Sequence, residues 1–94
     1  MVWTKRDFND PAYRKMRAEV RKRDGYKCQF PGCNSRKRLQ VHHIIPWSQN
    51  VALRHESRNC CLLCVVHHKQ VSQGGNELSY AAVFAAIVAR NMSK

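Results

Sequence analysis

Apolar residues recur along this chain at intervals typical first of a helix, then of short strands, then of helices again. In residues 10–24, Tyr13, Met16 and Val20 fall on one side of a helix, which a potential N-cap aspartate and a proline begin and Gly25 ends. The other sides of this predicted helix are rich in Lys and Arg. They could follow a phosphate backbone or form an ordinary solvated surface, and the pattern leaves both open.

Two short apolar runs, 39–45 and 59–64, predict strands separated by a polar, irregular segment. A helix is predicted over 65–73, where two glycines end it. The last helix, about 79–91, is apolar on several sides, which favours a role in the core over a dimer contact. These elements together predict an α+β fold.

Length and charge restrict the possible functions. A chain of 94 residues has room for one domain with a small core, so a metal or disulfide staple is expected. The formal net charge is +11, and twelve of the 17 Lys and Arg residues lie between Lys5 and Arg38, which indicates a polyanionic partner. The sequence has no apolar segment of signal-peptide or membrane-spanning type, so we expect an intracellular, cytoplasmic protein.

The five cysteines favour metal ligation, because an odd number of cysteines with histidines nearby is unlike a disulfide framework. Two pairs have the spacing of metal ligands: C-x4-C at Cys28 and Cys33, and C-x2-H at Cys64 and His67. Together they predict a closed, tetrahedral zinc site that contributes folding free energy. Cys60 and Cys61 lie on alternate faces of the second strand and are interpreted as packing residues, although either could replace a misassigned ligand.

Several residues with chemically useful side chains remain outside this zinc site. His42 and His43 come late in the first apolar run, Asn59 begins the second, and His68 is on the following helix. Because adjacent helical residues diverge by about 100°, His67 can face the zinc while His68 faces a different site. That second site could include a histidine of the first strand.

The run LQVHHIIP at residues 39–46, then Asn59, then LCVVHH at 63–68, resembles the HNH endonuclease family, with the N-x4-C-x3-H spacing of that family. With the cysteine pair, the resemblance covers about 28–71. It implies a zinc-stapled ββα-metal (His-Me finger) core with flanking helices. We therefore expect a single nuclease domain over 1–94, divided into a basic N-terminal helix region (1–25), the zinc knuckle and ββα-metal core (26–75) and a C-terminal helix (76–94).

The resemblance also implies roles for individual residues. His43 would be the general base, Asn59 would hold the loop that carries it, and His42 and His68 would hold one divalent cation: Mg²⁺, Mn²⁺, Ni²⁺, Co²⁺ or Zn²⁺. Many relatives have Asp at the position of His42, and Cys at the position of His67. The second difference leaves an exchange of roles between His67 and His68 open, although the helix phase argues against it.

The implied activity is hydrolysis of DNA phosphodiester bonds, by nicking or with weak sequence specificity, in a bacterial or phage-encoded setting. Contacts to the phosphate backbone are predicted for Arg17, Arg21, Arg36, Lys37, Arg38, Arg54, Arg58 and Lys69. A non-catalytic, zinc-stabilised nucleic-acid-binding module is the alternative, and an adaptor that uses the apolar last helix is a third hypothesis. The chain could act as a monomer or a homodimer.

Overall fold

The computed structural model describes residues 10–45, 51–53, 55–73 and 77–93, and these form the predicted α+β fold. Two 3₁₀ turns, Val51–Leu53 and Ser57–Asn59, lie between the strands. The regular elements are α1 (Pro11–Arg23), β1 (Leu39–His43), β2 (Cys60–Cys64), α2 (Val65–Ser72) and α3 (Glu77–Met92). A helix, a two-stranded sheet and a second helix thus precede the C-terminal helix.

Helix α1 forms where its capping residues and apolar spacing predict it. The side chain of Asp10 accepts a hydrogen bond from the backbone N–H of Ala12 at 2.9 Å, and proline occupies the first turn. Tyr13, Met16 and Val20 are buried, as their spacing predicts. Their burial turns the basic sides of α1 away from the core.

The two strands pair antiparallel, from Leu39 opposite Cys64 to His43 opposite Cys60. Every residue of β2 is buried, because helices cover both faces of the sheet. Alternate side chains therefore enter two separate cores. Val41, Cys60 and Leu62 pack with α1, whereas Cys61 and Leu63 belong to a cluster that includes residues of α2 and α3.

Cys60 and Cys61 are both 0% exposed, and each lies in a different core. The alternation of faces predicted for this pair is therefore confirmed. Burial raises the pKa of the Cys61 thiol well above its ordinary value, and the nearby Asp24 carboxylate adds to this effect. Cys61 accordingly packs as a neutral, small apolar side chain.

Asp24 at the end of α1 joins three elements, although it is only 1% exposed. Its carboxylate accepts two hydrogen bonds from the guanidinium of Arg23, one from the backbone N–H of Leu62 in β2 and one from the side chain of Asn91 in α3. The buried charge is thus paired and hydrogen-bonded. It fixes α1 and α3 against β2.

Helix α3 begins at Glu77, two residues before its predicted start. Phe84 and Val88 are buried in the core that α3 shares with α2 and the sheet, so the packing role favoured by the sequence is confirmed for this face. Val83 and Met92 are exposed. Among the described residues, no helix is long and apolar enough to cross a membrane.

Candidate metal and active site

Four residues predicted as zinc ligands converge at one point: Cys28, Cys33, Cys64 and His67. One ligand atom from each lies within 4.8 Å of the others. Cys33 is placed by a tight turn, in which its N–H donates to the carbonyl of Phe30 at 2.9 Å and Gly32 has a φ of +83°. Cys64 is the N-cap of α2, so the ligand His67 follows it within one helical turn.

The imidazole of His67 is oriented by both its thiol neighbours and an aromatic ring. Its Nδ1 lies 3.2 Å from Sγ of Cys64 and 3.7 Å from Sγ of Cys28. The ring of Phe30 stacks on the face of the His67 imidazole, with 4.1 Å between the ring centroids and only 4° between the planes. His67, and not His68, is therefore the histidine of this cluster. This excludes the alternative, left open by the sequence, in which His67 and His68 exchange roles.

The electrostatics of the cluster differ between its two buried thiols. Burial raises the pKa of Cys28 to about 11, although backbone N–H groups oppose the change. Burial also raises the pKa of Cys64, but hydrogen bonds from the backbone of His67 and the neighbouring thiols outweigh it, so the pKa is lowered overall. The start of α2 thus favours the thiolate form of Cys64.

The donor set of this cluster fits zinc. Three thiols and one imidazole match the ligands that structural zinc sites use, and four protein ligands complete a tetrahedral shell. No fifth protein donor is needed, which is consistent with the packing role of Cys60 and Cys61. This cluster could hold a zinc ion that joins the turn, β2 and α2.

A pair of histidines, outside the zinc cluster, lies on the face of the sheet that α2 covers. The rings of His42 and His68 are 5.4 Å apart between centroids, with 73° between their planes. Two imidazoles that share one metal ion at about 2.1 Å have centroids roughly 5 Å apart, so this spacing fits two ligands of a single cation. His42 is 1% exposed, and the ring of Phe84 meets its ring edge-on at 5.5 Å.

His43 follows His42, so the pleat of β1 directs its side chain to the opposite face of the sheet. On that face, His43 is opposite Cys60 in the register and is 4% exposed. The structure thus places the predicted base at the end of β1, one residue beyond the predicted cation ligand. The chain then turns away from the sheet.

Asn59 fixes this turn through several hydrogen bonds. Its carbonyl oxygen accepts from the N–H of Ile44 at 2.7 Å, and its side-chain Oδ1 accepts from the N–H of Ile45 at 2.9 Å. Its Nδ2 donates back to the carbonyl of Ile45 at 3.1 Å. Asn59 is therefore joined to the segment that follows His43, at the position where the family resemblance expects a loop-holding asparagine.

The predicted phosphate contacts fall in different places. Arg17 and Arg21 of α1 line a groove of about 190 Å³ together with Gln40 and His68. The side chain of Arg36 donates to the carbonyl of Gly25 at 3.1 Å, near the zinc knuckle. The remaining described members of the set are exposed, Lys37, Arg38, Arg58 and Lys69, whereas Arg54 lies outside the described residues.

Sequence reasoning missed the side chains that support these histidines. Phe30 stacks on His67, Phe84 packs against His42, and Gln40 hydrogen-bonds to His68. Gln40 had a usable signal, because it precedes His42 by two residues on a strand and so shares its face. The two phenylalanines had none, since their partners depend on how the turn and α3 dock.

Comparison with known proteins supports the functional interpretation of this arrangement. A family model described as HNH endonuclease matches residues 27–74, slightly more than half of the chain. This segment contains both the zinc cluster and the histidine pair. No curated protein and no solved structure matches the chain significantly.

Proposed function

The chain belongs to the HNH endonuclease family, and on this premise we propose that it is a metal-dependent endonuclease that hydrolyses DNA phosphodiester bonds. We further propose that it nicks DNA or cuts with weak sequence specificity. The observation that carries the proposal is the His42–His68 pair, which has the spacing of two ligands of one cation inside the matched segment.

His42 and His68 would hold the divalent cation, with Mg²⁺, Mn²⁺, Ni²⁺, Co²⁺ and Zn²⁺ as the candidates. When bound, such an ion stabilises the negative charge that develops on phosphate oxygens during hydrolysis. Two protein ligands leave the other coordination positions open to substrate, unlike the closed zinc cluster. Neutral imidazoles also favour transition metals more than a carboxylate pair does.

His43 would take the proton from the attacking water. A histidine suits this role because its ordinary pKa of about 6.5 lies near neutral pH, so its neutral form is available as a base. Asn59 would act as a positioning residue, since its hydrogen bonds fix the two residues that follow His43. These assignments are supported by position in the fold and by the family pattern.

DNA would be bound mainly through its phosphates, because the chain carries a net charge of +11. The groove between α1 and β1 supports this proposal, since it brings Arg17 and Arg21 beside His68. The other predicted contacts, Arg36, Lys37, Arg38, Arg58 and Lys69, would extend the same electrostatic attraction. Zinc in the cysteine cluster would serve folding and not the reaction.

The test is cleavage of supercoiled plasmid by the zinc-loaded wild type and by His43→Ala, each with Mg²⁺, Mn²⁺ or Ni²⁺ added or withheld. We expect metal-dependent nicking or linearisation by the wild type and a 10²- to 10⁴-fold lower rate for the variant. Zinc content, measured by mass spectrometry, and DNA binding, measured by fluorescence anisotropy, should be equal in the two proteins.

Other outcomes would discriminate between hypotheses. Equal cleavage by the two proteins would reject His43 as the base. If a folded, zinc-loaded wild type binds DNA but cleaves it with none of these metals, the non-catalytic nucleic-acid-binding module becomes the better interpretation.

A further inference from the structure

The second ligand of the proposed cation site has an unexpected partner on β1. Nδ1 of His68 lies 2.6 Å from Oε1 of Gln40, a side chain 28 residues earlier in the sequence. An amide oxygen accepts hydrogen bonds, so this contact favours the tautomer of His68 that carries its hydrogen on Nδ1. In a neutral imidazole, the lone pair then resides on the other nitrogen, Nε2.

We propose that Gln40 is a positioning residue, which holds His68 in its Nδ1–H tautomer and so makes Nε2 the atom that binds the catalytic cation. This inference rests on the proposed cation site of His42 and His68. Gln40 is not among the residues proposed above as metal ligands or catalytic residues. Hydrogen bonds of this kind commonly fix the tautomer and ring orientation of metal-binding histidines.

The strand explains why Gln40 is suited to this role. Gln40 and His42 are two residues apart on β1, so both side chains lie on the face that α2 covers. One strand therefore supplies one ligand and also orients the other. Because β1 and α2 are joined through the sheet, the hydrogen bond fixes the His68 ring relative to the ring of His42.

The neighbouring histidine uses the opposite nitrogen. Nδ1 of His67 faces the thiols of Cys28 and Cys64 in the zinc cluster, whereas Nδ1 of His68 faces Gln40. Two adjacent histidines of one helix would thus bind two different ions through different ring atoms. The tautomer of His68 is consequently a specific, measurable sign of the proposed role.

Nitrogen-15 NMR provides the test. Two-bond proton–nitrogen correlations distinguish the Nδ1–H and Nε2–H tautomers of each histidine, and they can be recorded on zinc-loaded protein without a catalytic cation, at a pH where histidines are neutral. The His68 signals are assigned by their loss in His68→Asn. We expect the Nδ1–H tautomer in the wild type and in Gln40→Glu, whose carboxylate retains an acceptor, and a shift towards Nε2–H in Gln40→Leu.

Direct binding of Mn²⁺, measured by electron paramagnetic resonance, provides the second readout. We expect Gln40→Leu to weaken Mn²⁺ binding about 10- to 100-fold, as is typical for loss of an outer-shell partner, and Gln40→Glu to restore most of it. Gln73→Leu, an exposed change at the end of α2, is the matched control and should leave both readouts unchanged. Equal zinc content and melting temperature exclude a folding defect.

Either of two results would overturn the inference: an Nε2–H tautomer in the wild type, or Gln40→Leu with unchanged tautomer and Mn²⁺ affinity. Failure of the proposed function gives a different result. If the wild type shows the Nδ1–H tautomer but binds no Mn²⁺, the His42–His68 cation site is rejected, and the ligand role of Nε2 with it.

Discussion

The zinc cluster and the histidine pair both use the first turn of α2, but they are assembled in different ways. In the cluster, Cys64 and His67 belong to one helical turn, and the two other cysteines belong to one tight loop. In the pair, His42 and His68 come from a strand and a helix, and their spacing depends on how these elements pack. A local sequence pattern therefore specifies most of the first site, whereas tertiary packing specifies the second.

The two sites also differ in how many ligands the described residues provide. Four donors within 4.8 Å of one another can complete a tetrahedral shell, so the cluster is suited to a structural ion. Two imidazoles cannot complete a shell, which leaves room for a substrate phosphate. The adjacent histidines 67 and 68 thus separate folding from the proposed chemistry.

The largest effect should come from substituting these adjacent histidines one at a time. His67→Ala removes one of the four candidate zinc ligands, and structural zinc contributes on the order of 10 kcal/mol in small zinc domains. We expect loss of stoichiometric zinc and of cooperative unfolding, measured by mass spectrometry and circular dichroism. His68→Ala is the matched variant and should keep zinc and fold while losing metal-dependent cleavage. The separation of roles is wrong if both variants keep zinc, or if both lose it.

A smaller effect is expected for Asp24→Asn, which alters the support common to both sites. Asp24 is paired with Arg23 and accepts from the N–H of Leu62 in β2. Breaking a buried pair costs about 3 kcal/mol or more in the free energy of unfolding, which urea denaturation measures. Glu19→Gln, an exposed change on the same helix, should cost less than about 0.5 kcal/mol. Equal stability of the two variants would contradict the role of Asp24.

The same Asp24→Asn variant also tests whether the two sites depend equally on Asp24. At low temperature, where the protein is folded, we expect one zinc per chain and nearly normal cleavage. Loss of zinc alone, or of cleavage alone, would show that Asp24 supports one site more than the other.

The smallest effect should be that of Arg17→Ala on DNA binding. If Arg17 neutralises one phosphate, its loss reduces the slope of log affinity against log salt by about 1, independently of DNA sequence. Fluorescence anisotropy over a salt series measures this slope. Lys15→Ala, which removes an exposed charge from another side of α1, is the control. Identical slopes for Arg17→Ala and Lys15→Ala would show that Arg17 has no special role in binding DNA phosphates. The α1 groove would then not belong to the proposed site at the histidine pair.

Much of the fold could be predicted because the signals are local. The N-cap and apolar spacing of α1 placed its bounds closely, and the alternation in β2 placed Cys60 and Cys61 on opposite faces. The start of α3 was less well predicted, because Ser79, a residue type common at N-caps, lies inside the helix, which begins at Glu77. The four candidate zinc ligands converge as predicted, since their spacing within each pair carries the information.

The order of elements, the grouping of the candidate zinc ligands and the family resemblance were thus readable from the amino-acid sequence. The tertiary structure was needed to exclude an exchange of His67 and His68, to bring Gln40 to His68, and to show that the basic side of α1 lines a groove beside His68. The difference lies in the distance along the sequence over which each interaction acts. Periodicity and ligand spacing act within a few residues, whereas these contacts join side chains of separate elements and exist only once strand register and helix docking are fixed.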